Sequence, residues 1–355
     1  MIAATYTPGQ GFRVEDVAAP EVAEGELLLR VEASAICGTD LRMIENGHHK
    51  LHPGRRIVLG HEFAGSVQSA PGAGNLFPPG TRVAIAPNVG CGQCEQCIQG
   101  RTNMCREYNA FGVTWDGAHT EYVRVPQTAI TQGNVVVLPE RTTFSEAALI
   151  EPLACVVNGN REARIAVGDV VVIVGAGPIG LLHLQLARLS GASRVLVADI
   201  RAQRLGPAKE LGADVINPAE QDLAARISEA TKGRGCDVVI TACSDASVQA
   251  ESIEWLAPYG RVCFFGGLPK GAPRVCLDTN AIHYKNLLVT GVTGGSLYDF
   301  RIAARLIASK RVDVTRIVSH VYPLSDMGLA FEQAMRREAM KVVLQQDGES
   351  GEHTR

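Results

Sequence analysis

Two textures of hydrophobic patterning divide the chain. As far as Ile150, apolar positions come in short runs broken by glycine and proline. Residues 26–33, 62–67, 82–86 and 120–125 read as strands, with Pro71-Gly72 and Pro78-Pro79-Gly80 as punctuation. This predicts a β-rich, barrel-like module with long loops. Thr142-Thr143-Phe144-Ser145-Glu146 sets hydroxyls before an acidic first turn, and an apolar run follows to Ile150, so a helix closes the module.

From Gly168 the runs alternate between strand and helix character. Strands are expected at residues 169–174, 194–198, 237–241 and 260–265, with helices at 178–189, 203–211 and 247–256. Continuous apolar strands joined by helices imply a parallel sheet covered on both faces. The remainder holds an amphipathic helix at 299–309, a strand near 317–320, a helix at 331–336 and a strand at 341–344. It is too short for a third domain and is expected to complete one of the first two. A chain of 355 residues exceeds the size of one usual core, so two domains are expected.

The first chemical signal lies where the texture changes. Gly175-Ala176-Gly177-Pro178-Ile179-Gly180 follows an apolar strand and opens a helix. The glycines allow a tight turn, close approach of the backbone to a pyrophosphate and close packing of helix on strand. The pyrophosphate then meets the positive end of the helix. Asp199 closes the next strand, where a carboxylate accepts hydrogen bonds from ribose hydroxyls and repels a 2′-phosphate. Arg201 and Arg204 follow and pull the other way, towards NADP; the fixed carboxylate is expected to prevail, giving NAD.

The second signal is a polar loop with Cys91, Cys94, Cys97 and Cys105 spaced C-x2-C-x2-C-x7-C. Four thiolates at that spacing can close a tetrahedron around Zn²⁺, and a site with no open position braces the fold. Chemistry needs a second site. Cys37-Gly38-Thr39-Asp40 and Gly60-His61-Glu62 offer thiolate and imidazole, the mixed set of a catalytic zinc. Taken separately, Cys37 also reads as a small core residue and His61 as a turn residue. Glu151-Pro152 falls at the expected domain boundary and offers a further carboxylate.

Composition narrows the class. The net charge of −3, from 34 basic and 37 acidic residues, gives no electrostatic footprint for nucleic acid or a membrane surface. The longest apolar run, around residues 170–174, is far too short to span a bilayer. Met1-Ile2-Ala3-Ala4-Thr5-Tyr6 has neither the basic flank nor the apolar core of a secretion signal. Ten cysteines, four of them clustered at metal spacing, suit a reducing compartment, so a cytoplasmic protein is expected.

Cys37-Gly38-Thr39-Asp40, Gly60-His61-Glu62, the four-cysteine loop, Glu151-Pro152-Leu153 and the glycine loop occur in the order seen in medium-chain zinc alcohol dehydrogenases. The chain resembles their sorbitol (polyol) and threonine dehydrogenase branch over nearly its whole length. The resemblance implies an α/β protein: a groES-like catalytic domain from residues 1–152 and 290–355, with a doubly wound Rossmann NAD domain at 153–289. It implies two zinc ions per chain. Cys37, His61 and Glu62 are then ligands of the catalytic zinc, and Glu151 binds directly or through a water. Thr39 is the relay hydroxyl, and Gly175, Gly177, Pro178, Ile179, Gly180, Asp199 and Arg204 surround the cofactor. It implies a homotetramer, with a dimer as the alternative. The activity implied is hydride transfer between NAD and a small hydroxylated substrate.

The chain also departs from the family pattern. Where relatives often carry a histidine three residues after the relay hydroxyl, it has Arg42, so the proton leaves through water or through His48 or His49. After Gly291, Val292-Thr293-Gly294-Gly295-Ser296-Leu297-Tyr298 lacks the arginine with which sorbitol enzymes contact polyol hydroxyls; Thr293 and Ser296 remain as hydrogen-bonding side chains. Tyr108, Phe111 and Trp115 are candidates for lining the pocket. A polyol is the expected substrate, a threonine-like amino alcohol or simple secondary alcohol the alternative. An NAD-binding structural protein is the non-enzymatic alternative.

Overall fold

In the computed structural model, which describes residues 1–346, Leu27–Ala35 is the central strand of a mixed seven-stranded sheet. The sheet runs Val135–Val137, Arg82–Ile85, Phe63–Ser69, Leu27–Ala35, Val342–Gln345, His320–Pro323, and Tyr122–Val125 also pairs with Leu27–Ala35. Leu27, Leu29, Val31, Phe63, Val83 and Ile85 alternate inward to form one core beneath it. A smaller sheet joins Gly11–Asp16, Ile2–Thr7 and Ile57–Val58. These elements belong to a unit made, among the described residues, of Met1–Ala154, Gly295–Lys310 and residues 314–346. The C-terminal segment thus completes the first unit, with Val342–Gln345 paired antiparallel to Leu27–Ala35.

The second unit holds Cys155–Gly294 and Arg311–Asp313. Its six parallel strands lie in the order Asp214–Ile216, Arg194–Ala198, Val170–Val174, Cys236–Thr241, Leu256–Phe264, Leu288–Gly291. Counted along the chain this is 3-2-1-4-5-6, the doubly wound dinucleotide-binding order. The glycine loop leaves the end of Val170–Val174, beside the point where strand order reverses.

Three local differences from the sequence expectation have physical causes. The helix expected at 247–256 is only Ala246–Glu251, capped by Asp245, and the next strand already begins at Leu256. Ile253, Trp255 and Leu256 are buried there, and burial alone does not separate a helix from a turn followed by a strand. The strand expected near 317–320 is a 3₁₀ turn at Val314–Ile317 followed by strand His320–Pro323; Val314 and Ile317, three apart, are both buried. Finally, Gly38–Asn46 is a helix whose N-cap is Cys37. A cysteine cap paired with Asp40 carries no Ser/Thr signature, so the element was invisible to pattern reading.

Candidate active site and metal centres

The four-cysteine loop is held between the paired strands Asn88–Val89 and Asn109–Ala110. The sulfurs of Cys91, Cys94, Cys97 and Cys105 all lie within 4.8 Å of one another. Gly90 makes this closure possible, because a Cβ there would stand 2.5 Å from Cys97 Sγ. Backbone N–H groups turn inward, with Cys91 N donating to Cys105 Sγ at 3.3 Å and Cys94 N to Cys91 Sγ at 3.4 Å. Backbone hydrogen bonds from Gln93 and Cys94 draw Cys91 down to about 7. Burial and the neighbouring thiols push Cys97 up to about 12. Four such sulfurs cannot all ionise against one another, and a bound dication removes the conflict. The donor set therefore fits zinc, with every position filled by sulfur.

The second cluster is assembled from separate elements. Cys37 ends the approach to Gly38–Asn46, while His61 and Glu62 lead into Phe63–Ser69. One ligand atom from each of Cys37, His61 and Glu62 falls within the same 4.8 Å limit. Asp40, fully buried, organises them. Its Oδ2 accepts from Cys37 N at 2.9 Å, and its Oδ1 lies 3.4 Å from His61 Nδ1, a charge contact that falls short of hydrogen-bond alignment. With Nδ1 turned to Asp40, Nε2 is the nitrogen left for a metal. Burial alone would lower the pKa of His61, but Cys37 and Asp40 outweigh it and hold the imidazole well above its ordinary value. The site thus attracts positive charge, as a cation site should.

Lys341 was missed by sequence reading. It is buried, and its Nζ reaches the Glu62 carboxylate at 2.6 and 2.8 Å and Ile36 O at 3.3 Å. Burial would lower its pKa, but Glu62 and Cys37 hold it above the usual lysine value. Glu62 is therefore shared between the cluster and an ammonium. Only the return of the last strand beside Leu27–Ala35 brings Lys341 there, and nothing local in the sequence signals it.

The other expected residues divide. The Thr39 hydroxyl accepts from Arg42 Nη2 at 2.9 Å, so the arginine three residues on reaches that hydroxyl. His48 stacks on His49 at 4.4 Å, and its Nδ1 accepts from Lys50 N at 3.3 Å. Glu151 falls outside the three-residue cluster and instead lines a small cavity with Asn88, Ala154, Gly295 and Ser296. Ser296 is already committed as the N-cap of Leu297–Ala308, donating to Asp299 Oδ2 at 2.7 Å. Phe111 is fully buried against Phe63 and packs edge to face at 5.5 Å on the half-buried Trp115. Tyr108 carries Lys50 Nζ 3.2 Å above its ring.

In the second unit, Gly177 caps the helix Pro178–Leu189. Gly175 sits at φ 114°, where a Cβ would meet Ala242 O at 2.8 Å, and a Cβ on Gly180 would strike Gly175 O at 1.8 Å. The loop can therefore only be glycine at these positions. Asp199 Oδ2 accepts from Ala176 N at 2.8 Å and Oδ1 from Arg201 N at 2.8 Å. The carboxylate is thus pinned against the glycine loop. Half-buried Arg204 comes close as well, its Nη1 3.8 Å from where a Gly177 Cβ would stand. A glycine cradle beside a fixed carboxylate fits a dinucleotide.

Two family descriptions match the chain: an alcohol dehydrogenase GroES-like domain over residues 23–139 and a zinc-binding dehydrogenase over residues 178–309. An L-threonine 3-dehydrogenase of Pyrococcus horikoshii is 34% identical over 322 residues, 89% of each chain. The chain belongs to the zinc-containing medium-chain dehydrogenase/reductase family. A sorbitol dehydrogenase of Bacillus subtilis is 29% identical over 358 residues, 97% of each chain. Among solved structures, a zinc-binding dehydrogenase of Sinorhizobium meliloti bound to NADP superposes with a TM-score of 0.87 at 32% identity, covering 97% of this chain and 98% of the other. With its two metal clusters and dinucleotide loop, this family member is a zinc-dependent NAD(P) oxidoreductase of small hydroxylated or keto substrates. No helix among the described residues is long and apolar enough to cross a membrane.

Proposed function

We propose that the protein is an NAD-dependent dehydrogenase of a secondary alcohol with a neighbouring hydroxyl, a polyol or sugar alcohol. The observation that carries this reading is the meeting of Cys37 with the buried His61 and Glu62, with Thr39 at the start of the helix that Cys37 caps. When bound, zinc supplies Lewis-acid assistance to the alcohol and the nicotinamide accepts the hydride. Cys37, His61 and Glu62 hold that zinc, with Glu151 acting through a water, while Cys91, Cys94, Cys97 and Cys105 hold the bracing ion. Thr39 handles the proton: Arg42 occupies one lone pair of its oxygen, the other is free for the alcohol O–H, and its own proton can pass to water. Gly175, Gly177, Pro178, Ile179 and Gly180 cradle the pyrophosphate, and Asp199 and Arg204 flank the adenosine ribose.

The likeness to a sorbitol dehydrogenase supports the polyol class. A second reading, a threonine-like amino alcohol, is favoured by the Arg42 guanidinium beside Thr39, which could meet a carboxylate, and by the 34% identity to a threonine dehydrogenase. Asp199, pinned between the glycine loop and the Arg201 backbone, supports NAD over NADP. We read the working form as a cytoplasmic homotetramer, for which light scattering should give four times the 37.8 kDa chain mass.

The test is a panel of tetritols, pentitols, hexitols, threonine, 2,3-butanediol and 2-butanol with NAD and with NADP, followed at 340 nm. A polyol should exceed 2-butanol in kcat/KM by about 100-fold or more, because a site that pairs a second hydroxyl rejects analogues lacking it. Equal values defeat the polyol reading, and a preference for threonine transfers it to the second. Faster turnover with NADP overturns the cofactor assignment.

A further inference from the structure

Behind the ligand cluster lies a histidine that neither the motifs nor the zinc set uses. His119 is fully buried, and both of its ring nitrogens are engaged. Nδ1 lies 3.0 Å from Ser34 Oγ, and Nε2 lies 3.3 Å from Asp40 Oδ2. That same Oδ2 accepts from Cys37 N at 2.9 Å, and the other carboxylate oxygen faces His61 Nδ1 at 3.4 Å. A continuous buried line therefore runs from Ser34 through His119 and Asp40 to both Cys37 and His61.

The chemistry of the line fixes its direction. A carboxylate only accepts, so Nε2 of His119 carries the proton it gives to Asp40. In the neutral ring, Nδ1 then accepts from the Ser34 hydroxyl, which supports the tautomer that Asp40 sets. The space for the ring is equally specific. Gly60, immediately before His61, has φ 102°, and a Cβ there would stand 2.7 Å from His119 N and 2.8 Å from its Cγ. The ring thus lies on the peptide leading into a ligand. Phe331 closes the remaining side edge-on at 5.3 Å.

We infer that His119 is a positioning residue of the metal site: it holds Asp40 in the one orientation that serves the Cys37 helix N-terminus and His61 together. Without it, Oδ2 keeps only the Cys37 backbone donor, the carboxylate is held less firmly, and the His61 ring loses its fixed partner. Groups that orient a ligating histidine in this indirect way govern how tightly the metal is held. The inference rests on Cys37, His61 and Glu62 being metal ligands.

The experiment first counts zinc in the unaltered protein, where two ions per chain are expected and one ion ends the ligand reading itself. His119→Phe keeps an aromatic ring but removes both nitrogens, His119→Gln restores an N–H donor, and Ser34→Ala removes only the outer hydrogen bond. For each, zinc release to a chromophoric chelator, NADH affinity by fluorescence, and kcat are measured. His119→Phe should release one of its two zinc ions about 10–100-fold more readily and lose kcat by a similar factor, with NADH affinity unchanged. His119→Gln should recover most of both losses, and Ser34→Ala should fall between it and the unaltered protein. If His119→Phe retains zinc and kcat within twofold, the ring is packing and the inference is overturned. Should that variant fail to fold, Ser34→Ala and His119→Gln decide: unchanged zinc release in Ser34→Ala, or an uncorrected loss in His119→Gln, overturns it equally.

Discussion

The four-cysteine cluster takes all its ligands from one loop, residues 91–105, whereas the second cluster takes Cys37 from a helix N-terminus and His61 and Glu62 from the approach to a strand. Behind the second stand Asp40, His119 and Lys341, which meet only once the large sheet is complete. The difference is one of dependence. A local loop needs its metal to close, since the sulfurs would otherwise only repel. The dispersed cluster is enforced by buried hydrogen bonds and ion pairs, and the fold presents it ready-made. Metal at the first site should therefore appear as stability, and at the second as chemistry.

The sharpest test of that contrast, and the largest effect, is removal of a dispersed ligand. Cys37→Ala or His61→Ala should lower kcat/KM by on the order of 1000-fold or more, about 4 kcal/mol of transition-state stabilisation. Both variants should stay folded, bind NADH and carry one zinc per chain by elemental analysis. Near-normal turnover in either would falsify the assignment.

The converse should follow at the loop. Cys97→Ala should cost about 3 kcal/mol of stability, a fall in Tm of roughly 6–12 °C for a domain of this size. Turnover of the chains that remain folded should change little. If calorimetry instead shows an unchanged Tm while kcat collapses, the two clusters have exchanged roles and the comparison is broken.

The same contrast explains what the sequence alone could reveal. The cysteine spacing and the glycine loop are short-range signals, and the structure places those residues together much as spacing requires. The helix Pro178–Leu189 and the strand Arg194–Ala198 were legible because period and punctuation agree there. His61 is legible only beside the family order of its neighbouring motifs. Lys341 and His119 were not legible at all: one sits in an ordinary strand lead-in, the other between Ala118 and Thr120, and their roles come from pairings far apart in the chain. Asp40 has no sequence signal beyond its motif, though it binds that motif's first residue to His61. Phe111 differs in the opposite direction, because this loop aromatic near a predicted site fills the core, with Trp115 packed against it.

A weaker effect tests whether the dinucleotide loop behaves as a local site too. Asp199→Ala should weaken NAD by about 2 kcal/mol, roughly 30-fold in KM, through loss of a charged acceptor. NADP should be affected far less, so the NAD to NADP preference should fall by a similar factor. Because Asp199 also accepts from Ala176 N, part of the loss should appear as a looser loop, seen as faster amide exchange at Ala176. An equal loss for both cofactors would mean that Asp199 serves the loop and not the ribose.

The smallest effect concerns a histidine that has no line of partners behind it. His183, on Pro178–Leu189, is fully buried, lies edge-on to Phe265 at 4.7 Å, and has no hydrogen-bond partner for either ring nitrogen among the described residues. Burial drives it down to about 3, the reverse of His61, which carboxylate and thiol hold up. The ring stays neutral in the folded protein, while the unfolded chain takes up a proton near pH 6.5. Folding stability is therefore intact above pH 6.5 and declines as the pH falls from there towards 3, because the unfolded state binds the extra proton. By pH 5.5 the loss from this one group is about 1.4 kcal/mol. His183→Leu should remove that slope, leaving a difference between unfolding midpoints at pH 7.5 and pH 5.5 smaller than in the unaltered protein. Zinc content and kcat at pH 7.5 should stay as they were. An identical pH slope in the variant would show that this unpartnered ring is not the source of the acid sensitivity.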